Sequence, residues 1–371
     1  MYKALLKWSL AQTDGTSGPS TAMPMSDEKR KFLAAAMESY VLDETKRIQD
    51  ILTILKYQRS APVVAEEQPP KPPPASVPTP IPTTAPTLPY SQIVAGAVAA
   101  RLTQKKKETT FIVDSLSNAS AAKLQEIKVD ALRELSDRIE QIDNATYFAC
   151  GAGGSGELPV LFSFLKDGAT PLQAEACNVL KIILQNNPKC QEKALKIGGM
   201  NVLLLVTQTH SEMDMRVKAF SCLSALLRYR TAIPVLAFAN AGGLEKCVMP
   251  ALTNNSAPRL QKKALFFLQY AVSADDSFPA KRFAASGIVR TLGALLASKD
   301  DDIVEQSATI LQELLLNASG LDNNKKCLLD PTLKVKDHLK AQLASISAKP
   351  AEEREYYVEM ENMLKKLQSA L

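Results

Sequence analysis

The sequence predicts an all-α fold, a right-handed solenoid built from stacked helical repeats. Three sets of markers predict it. Gly154, Gly198, Gly242 and Gly287 recur at intervals of 44, 44 and 45 residues. Ala176, Ala219, Ala264 and Ala308 recur at 43, 45 and 44, and Pro188, Pro234 and Pro279 at 46 and 45. Three residue types keep one period, and it falls in the window of about 40–47 residues that marks multi-helix repeats of the armadillo or HEAT kind. One such unit cannot bury its apolar face alone, whereas stacked neighbours bury it continuously and present a concave surface.

Each element has a sequence reason. The recurring Gly ends the preceding helix, at a position needing positive φ. A short apolar helix follows, at Leu158–Leu165, Met200–Val206, Leu244–Leu252 and Ile288–Leu296. Polar breaks come next: Lys166-Asp167-Gly168, His210-Ser211-Glu212, Asn254-Asn255-Ser256 and Lys299-Asp300-Asp301. The longer helix after each break carries apolar residues three and four apart. In the first three, Leu180, Leu223 and Leu268 stand four residues after the aligned Ala, so a small and a large residue share one face. A Pro then fits the first turn of a third short helix, where its missing N–H costs nothing.

The flanks divide by composition. Residues 1–57 form an N-terminal arm. Its amphipathic helix starts near Ser26 and has Leu33, Met37, Tyr40, Val41, Ile48, Ile51, Leu52 and Leu55 on one face. Residues 58–89 are a Pro-rich, disordered tether. Residues 90–120 hold a short helix and a loop, and 121–153 an N-terminal cap helix marked by Leu124, Ile127, Ala131, Leu135, Ile139 and Ile142. The array occupies 154–330. Two closing helices, Pro331–Ser347 and Ala351–Ala370, cap it, the second with Tyr357, Met360, Leu364 and Leu367 facing the array.

Composition argues against most chemistry. The net charge of +5 is too small to point to nucleic acid. Six cysteines without a Cys-x-x-Cys pair, and only two histidines, His210 and His338, give no zinc signature and fit a reducing compartment. No stretch approaches the roughly 18 apolar residues of a membrane span. Lys7 interrupts the apolar N-terminus before it makes a secretory core. The glycines between Cys150 and Gly156 lack the order of a phosphate-binding loop. Asp300-Asp301-Asp302 reads as a cap for a helix starting at Ile303. No nucleophile has a base nearby in the sequence, so the expectation is a non-enzyme without cofactor or metal, a cytoplasmic (or also nuclear) monomer acting through its curved surface.

Several motifs carry a resemblance. They are Leu5-Leu6-Lys7-Trp8-Ser9-Leu10, the acidic-then-apolar stretch from Asp27 to Asp43, and Ile142-Asp143-Asn144-Ala145. Gln185-Asn186-Asn187-Pro188 with Gln191-Glu192, Arg216-Val217-Lys218-Ala219-Phe220 and Lys262-Lys263-Ala264-Leu265 complete the set. Together they resemble the armadillo-type nucleotide-exchange factors of heat-shock protein 70 chaperones, the cytosolic heat-shock-protein-70-binding protein family. The resemblance covers most of the chain outside residues 58–123, and the Pro-rich insert departs from it. It implies a co-chaperone that grips the nucleotide-binding domain of heat-shock protein 70 with its concave face and speeds release of ADP and client. By the same resemblance Ala145, at the rim, and Lys263 are the first contact residues. Lys218, in the register of Lys263, Glu175 and Ser307, joins them with Arg216, Arg259, Lys262 and Asn144. Leu5, Leu6, Trp8 and Leu10 are implied as a mimic of a chaperone client. The alternative readings are an armadillo peptide-binding adaptor, whose groove would carry repeated Trp and Asn, and a scaffold working through the Pro-rich tether. The only Trp, Trp8, lies outside the array.

Overall fold

The computed structural model describes residues 44–58, 110–151, 156–229, 231–254, 257–273, 287–316 and 321–371. Expectations for the client-mimic segment Leu5–Leu10, the start of the arm helix, the Pro-rich tether, Gly154 and Pro279 fall outside these residues. Two compact units make up the chain, residues 1–127 and 128–371. In the first, helix α1 spans 44–56 and buries Ile48, Ile51 and Leu55, and α2 spans 110–117. Helix α3, Ala121–Arg138, runs from the first unit into the second.

The second unit is an all-α, armadillo-like solenoid, and among the described residues it has no strand. Its first repeat is α4 (Ile142–Cys150), α5 (Leu158–Asp167) and α6 (Thr170–Leu184). The second is α7 (Pro188–Lys196), α8 (Gly199–Thr209) and α9 (Met213–Leu227). The third is α10 (Ile233–Asn240), α11 (Met249–Thr253, entered through a π-helical turn at Leu244–Val248) and α12 (Pro258–Val272). Of the fourth, α13 (Ile288–Leu295) and α14 (Asp301–Leu316) are described. The long helices α6, α9, α12 and α14 pack side by side in order, and the second helices form a parallel layer.

The markers do what their chemistry requires. Gly198, Gly242 and Gly287 have φ of 78°, 79° and 81°, the first two at the turn between a first and a second helix and Gly287 directly before α13. Ala176, Ala219, Ala264 and Ala308 are fully buried, and Leu180, Leu223 and Leu268 fill the layer beside the first three. Truncating one of these leucines to Ala leaves a cavity worth about 2–5 kcal/mol. Pro188 and Pro234 sit in the first turns of α7 and α10.

A half-buried polar relay joins the breaks of successive repeats. The Glu212 N–H donates to His210 Nδ1 (3.0 Å), so His210 Nε2–H donates to Gln173 Oε1 (3.0 Å). Gln173 Nε2 in turn donates to the Leu165 carbonyl at the end of α5 (3.1 Å). Arg216 and Gln261 do the same for Thr207 and Leu252 at the ends of α8 and α11. The first turns of α6, α9 and α12 thereby satisfy orphan carbonyls of the helices before them.

Several expectations need correction. Ile142, expected on the face of the cap helix, instead opens a separate helix, α4, and is 58% exposed. Helix α14 begins at Asp301, not Ile303, because Asp300 Oδ1 takes the Asp302 N–H. Beyond it stand α15 (Leu321–Leu328), a 3-10 turn at Pro331–Leu333, α16 (Val335–Ser347), α17 (Ala351–Arg354), a second 3-10 turn at Glu355–Tyr357, and α18 (Val358–Ala370). The expected helix from Pro331 is interrupted because Lys334 adopts a left-handed conformation (φ 50°). Helix α18 packs on α14 as a fifth long helix would, burying Met360, Leu364 and Leu367. Gln342 ties α16 to the carbonyls of Leu296 and Ser298. The ladder thus continues past its fourth unit.

Candidate functional site

The long helices present a row of polar side chains, and the row has two unlike parts. Toward their N-terminal ends the charges are spent within the stack. Arg133 Nε bonds Glu175 (3.2 Å), Glu175 holds the Asn178 amide (2.7 Å), and the Asn178 carbonyl takes Lys218 Nζ (2.9 Å). Arg259 pairs with Asp214 (3.1 Å). Lys262 sits between Asp302 (2.6 Å) and Asp300 (2.9 Å), and these two hydrogen bonds, Asp302 first, push its pKa up. Arg216 is committed to the Thr207 carbonyl (2.8 Å). Exposed pairs of this kind add at most about 1 kcal/mol each, but they leave little free charge for a partner.

The pattern changes where the C-terminal halves of α6 and α9 face the middle of α12. A cleft of about 350 Å³ opens across α6, α9 and α12. Lys181, Gln185 and Asn186 line it from the first repeat, Ser221, Ser224, Ala225 and Arg228 from the second, and Lys263 and Phe266 from the third. Three of these are cations and none is a carboxylate. Lys263 holds in α12 the register that Lys218 holds in α9. Lys218 finds Asn178 across the helix interface, whereas the residue facing Lys263 in that scheme is Ser221, whose hydroxyl donates back to the Val217 carbonyl (2.9 Å). Lys263 is consequently exposed and makes no ion pair among the described residues.

Arg228 is the most constrained cation of the cleft. Its guanidinium lies 4.6 Å from the Phe266 ring centroid and 5.2 Å from that of Tyr270. Its backbone is pinned as well. The buried Gln191 of α7 donates Nε2 to the carbonyls of Ala225 (2.7 Å) and Arg228 (3.2 Å), and Tyr270 donates its hydroxyl to the Tyr229 carbonyl (2.6 Å). Burial pushes the Tyr270 phenol above its ordinary pKa. Asn186, on the cleft wall, stands at φ 54°, a conformation Asn tolerates better than most residues.

The structure places the sequence-derived site residues unevenly. Lys263 lies in the cleft. Lys218, Arg259 and Lys262 lie on the paired part of the row, and Arg216 stabilises a turn. Asn144 donates its amide to the Arg138 carbonyl (2.9 Å), closing the end of α3. Ala145 does not reach the rim: it is 2% exposed, against Cys190, whose thiol approaches the Ala145 carbonyl (3.8 Å). Ser307 is fully buried, with no hydrogen-bond partner for its hydroxyl among the described residues, so the row closes at the fourth repeat. Sequence reasoning missed Arg228 and Phe266. The available signal was a cation at the end of one long helix, Arg228, and aromatic residues along the next, Phe266 and Tyr270. Among the described residues no group of three His, Cys, Asp or Glu could hold a metal ion.

Comparison with known proteins agrees with this architecture. Residues 151–254 match the family model described as the SIL1/FES1/HPBP1 C-terminal domain. The chain is 23% identical to Hsp70-binding protein 1 of Rattus norvegicus over 291 residues, 78% of this chain and 66% of that protein. It is 28% identical to Hsp70-binding protein 1 of Mus musculus over 49% of each. It is 31% identical to Nucleotide exchange factor SIL1 of Xenopus laevis over 101 residues, 27% of this chain and 21% of that protein. The chain thus spans 49–66% of the length of these Hsp70-binding relatives. Among solved structures, a designed armadillo repeat protein in complex with the peptide (KR)4 superposes with a TM-score of 0.53 at 16% identity, over 68% of this chain and 97% of that one. A computationally designed armadillo repeat protein gives 0.53 at 15%, over 70% and 97%. Residues 151–254 thus match the SIL1/FES1/HPBP1 C-terminal domain model, and the array that contains them is an armadillo-like solenoid.

Proposed function

We propose that this chain is a nucleotide-exchange factor for a cytosolic heat-shock protein 70. In this reading it binds the chaperone's nucleotide-binding domain as a monomer, through the long-helix face of the array. The observation that carries the reading is the match of residues 151–254 to a domain family whose relatives are named for Hsp70 binding and nucleotide exchange. The basic cleft supports it by supplying a preformed polar surface with an exposed aromatic at one wall. The six thiols, all unpaired, support a reducing compartment.

The mechanism follows from linkage. A rigid partner that grips one lobe of the chaperone and collides with the other binds the open arrangement of lobes better than the closed, ADP-bound one. It then weakens ADP binding by the same factor. No proton or group transfer by this chain is needed. ADP leaves, ATP enters, and the client is released. Long-range attraction between the cationic face and the chaperone would set the association rate and its salt dependence.

The test is release of fluorescently labelled ADP from a cytosolic heat-shock protein 70, with and without the full chain. The reading expects release to accelerate with increasing concentration and then saturate. An unchanged rate with a chaperone that responds to another exchange factor refutes it.

A further inference from the structure

We propose that the Lys181–Arg228–Lys263 cleft docks an acidic segment, with Asp or Glu side chains spaced along it, on the surface of the partner, and that Arg228 is its anchor. The identity of the partner rests on the exchange-factor reading, whereas the ligand chemistry rests on the cleft itself.

The first argument is the partition of charge. Arg259 and Lys262 on the long helices are matched by carboxylates of the neighbouring repeat, Lys218 is held by an amide oxygen, and Arg216 by a carbonyl. Lys181, Arg228 and Lys263 have no carboxylate partner among the described residues, and no carboxylate lines the cleft they share. Three cations brought together without counter-charge repel one another, and an acidic ligand removes that repulsion.

The second argument is preorganisation. An Arg held against two aromatic rings loses little rotamer freedom when it meets a carboxylate, and its planar fork suits two parallel N–H···O bonds. Phe266 and Tyr270 provide those rings, and Gln191 and Tyr270 fix the backbone beneath. Phe266 is 45% exposed, so it also offers apolar contact to the stem of an acidic side chain. Arg and aromatic residues in such a setting are the usual hot spots of an interface.

The third argument is spacing. The cations come from three successive long helices, and packed helices stand roughly 8–10 Å apart. One small anion cannot contact all three, whereas carboxylates distributed along a segment can. Gln185, Asn186, Ser221 and Ser224 supply the remaining polar contacts around the cleft.

The probe is a fluorescein-labelled eight-residue peptide of alternating Asp and Glu, followed by anisotropy against the full chain at low salt. A peptide of alternating Lys and Arg and inorganic phosphate serve as comparators. Saturable binding of the acidic peptide is expected, with none of the basic one. Arg228→Ala and Lys263→Ala should each weaken it about tenfold, Arg228→Lys by less, and Lys340→Ala, exposed on α16 and outside the cleft, by under twofold. Circular dichroism confirms that each variant keeps its helices. Equal binding of the basic peptide, loss of under twofold in both Ala variants, or full displacement by millimolar phosphate overturns the inference. The two proposals fail separately. Acidic-peptide binding without faster ADP release sinks the exchange reading alone, and faster ADP release without acidic-peptide binding sinks the docking inference alone.

Discussion

The guanidinium of Arg228 stacks 4.6 Å from the ring centroid of Phe266, with Arg228 at the C-terminal end of α9 and Phe266 in the middle of α12. A contact of this kind at an exposed site is worth about 0.5–1 kcal/mol. Arg228→Ala should therefore lower the urea-unfolding free energy by no more than about 1 kcal/mol. A loss several times larger would mean that Arg228 is a structural residue rather than one held ready for a partner.

Gln191 carries more. It is 1% exposed, and its amide satisfies two carbonyls at the end of α9. Gln191→Ala leaves those carbonyls unpaired, at a cost of about 1–3 kcal/mol. It also frees the backbone under Arg228. Urea denaturation should register the lost stability, and crystallography or NMR of the variant should show displacement confined to residues 225–229. Unchanged stability would contradict the role given to Gln191.

Ala145 sits against Cys190 in the packed layer between α4 and α7. Ala145→Arg should destabilise the array by about 3 kcal/mol or more, since a large charged side chain must be forced into a filled space or displace it. Ala145→Gly adds no bulk and should keep any partner affinity. If Ala145→Arg instead melts like the parent chain, the site is more open than its burial implies.

The carboxylate of Asp330 gives a pH signature. It accepts the N–H (2.9 Å) and hydroxyl (2.7 Å) of Thr332 and pairs with Arg290, and these contacts, Thr332 first, hold its pKa down to about 2. A depressed folded-state value means that the ionised form stabilises the fold. That contribution is complete above the unfolded value of roughly 3.9 and disappears as pH falls through about 2. Asp330→Asn should thus be less stable than the parent at pH 7. The gap should narrow between pH 4 and pH 2. A gap that widens on acidification contradicts this reading.

Much of the fold was legible in the sequence, and for local reasons. The positive φ of Gly198, Gly242 and Gly287, and the burial of the aligned Ala and Leu residues, follow from period and residue type. Lys263 was named by the resemblance, with its register beside Lys218 in support, and it lies in the cleft. The fates of Lys218, Arg259 and Lys262 were not legible, because their partners lie 40 to 45 residues away on other helices. Arg228 was invisible for a related reason. Its value comes from Phe266 and Tyr270 of the next repeat and from Gln191 of α7, none of which is near it in the chain. Ile142 misled because its apolar spacing continues that of Leu135 and Ile139, although it opens the next helix.

The central claim is that this array opens a heat-shock protein 70 through the cation-bearing ends of its long helices. Stopped-flow release of labelled ADP from a cytosolic heat-shock protein 70 tests it most directly, comparing the parent chain with Lys263→Glu and Arg228→Glu. The account predicts that the parent accelerates release and that each reversal lowers the second-order rate constant at least tenfold, with helical content and melting temperature preserved. Acceleration undiminished in both reversals, or absent in the parent chain, would contradict it.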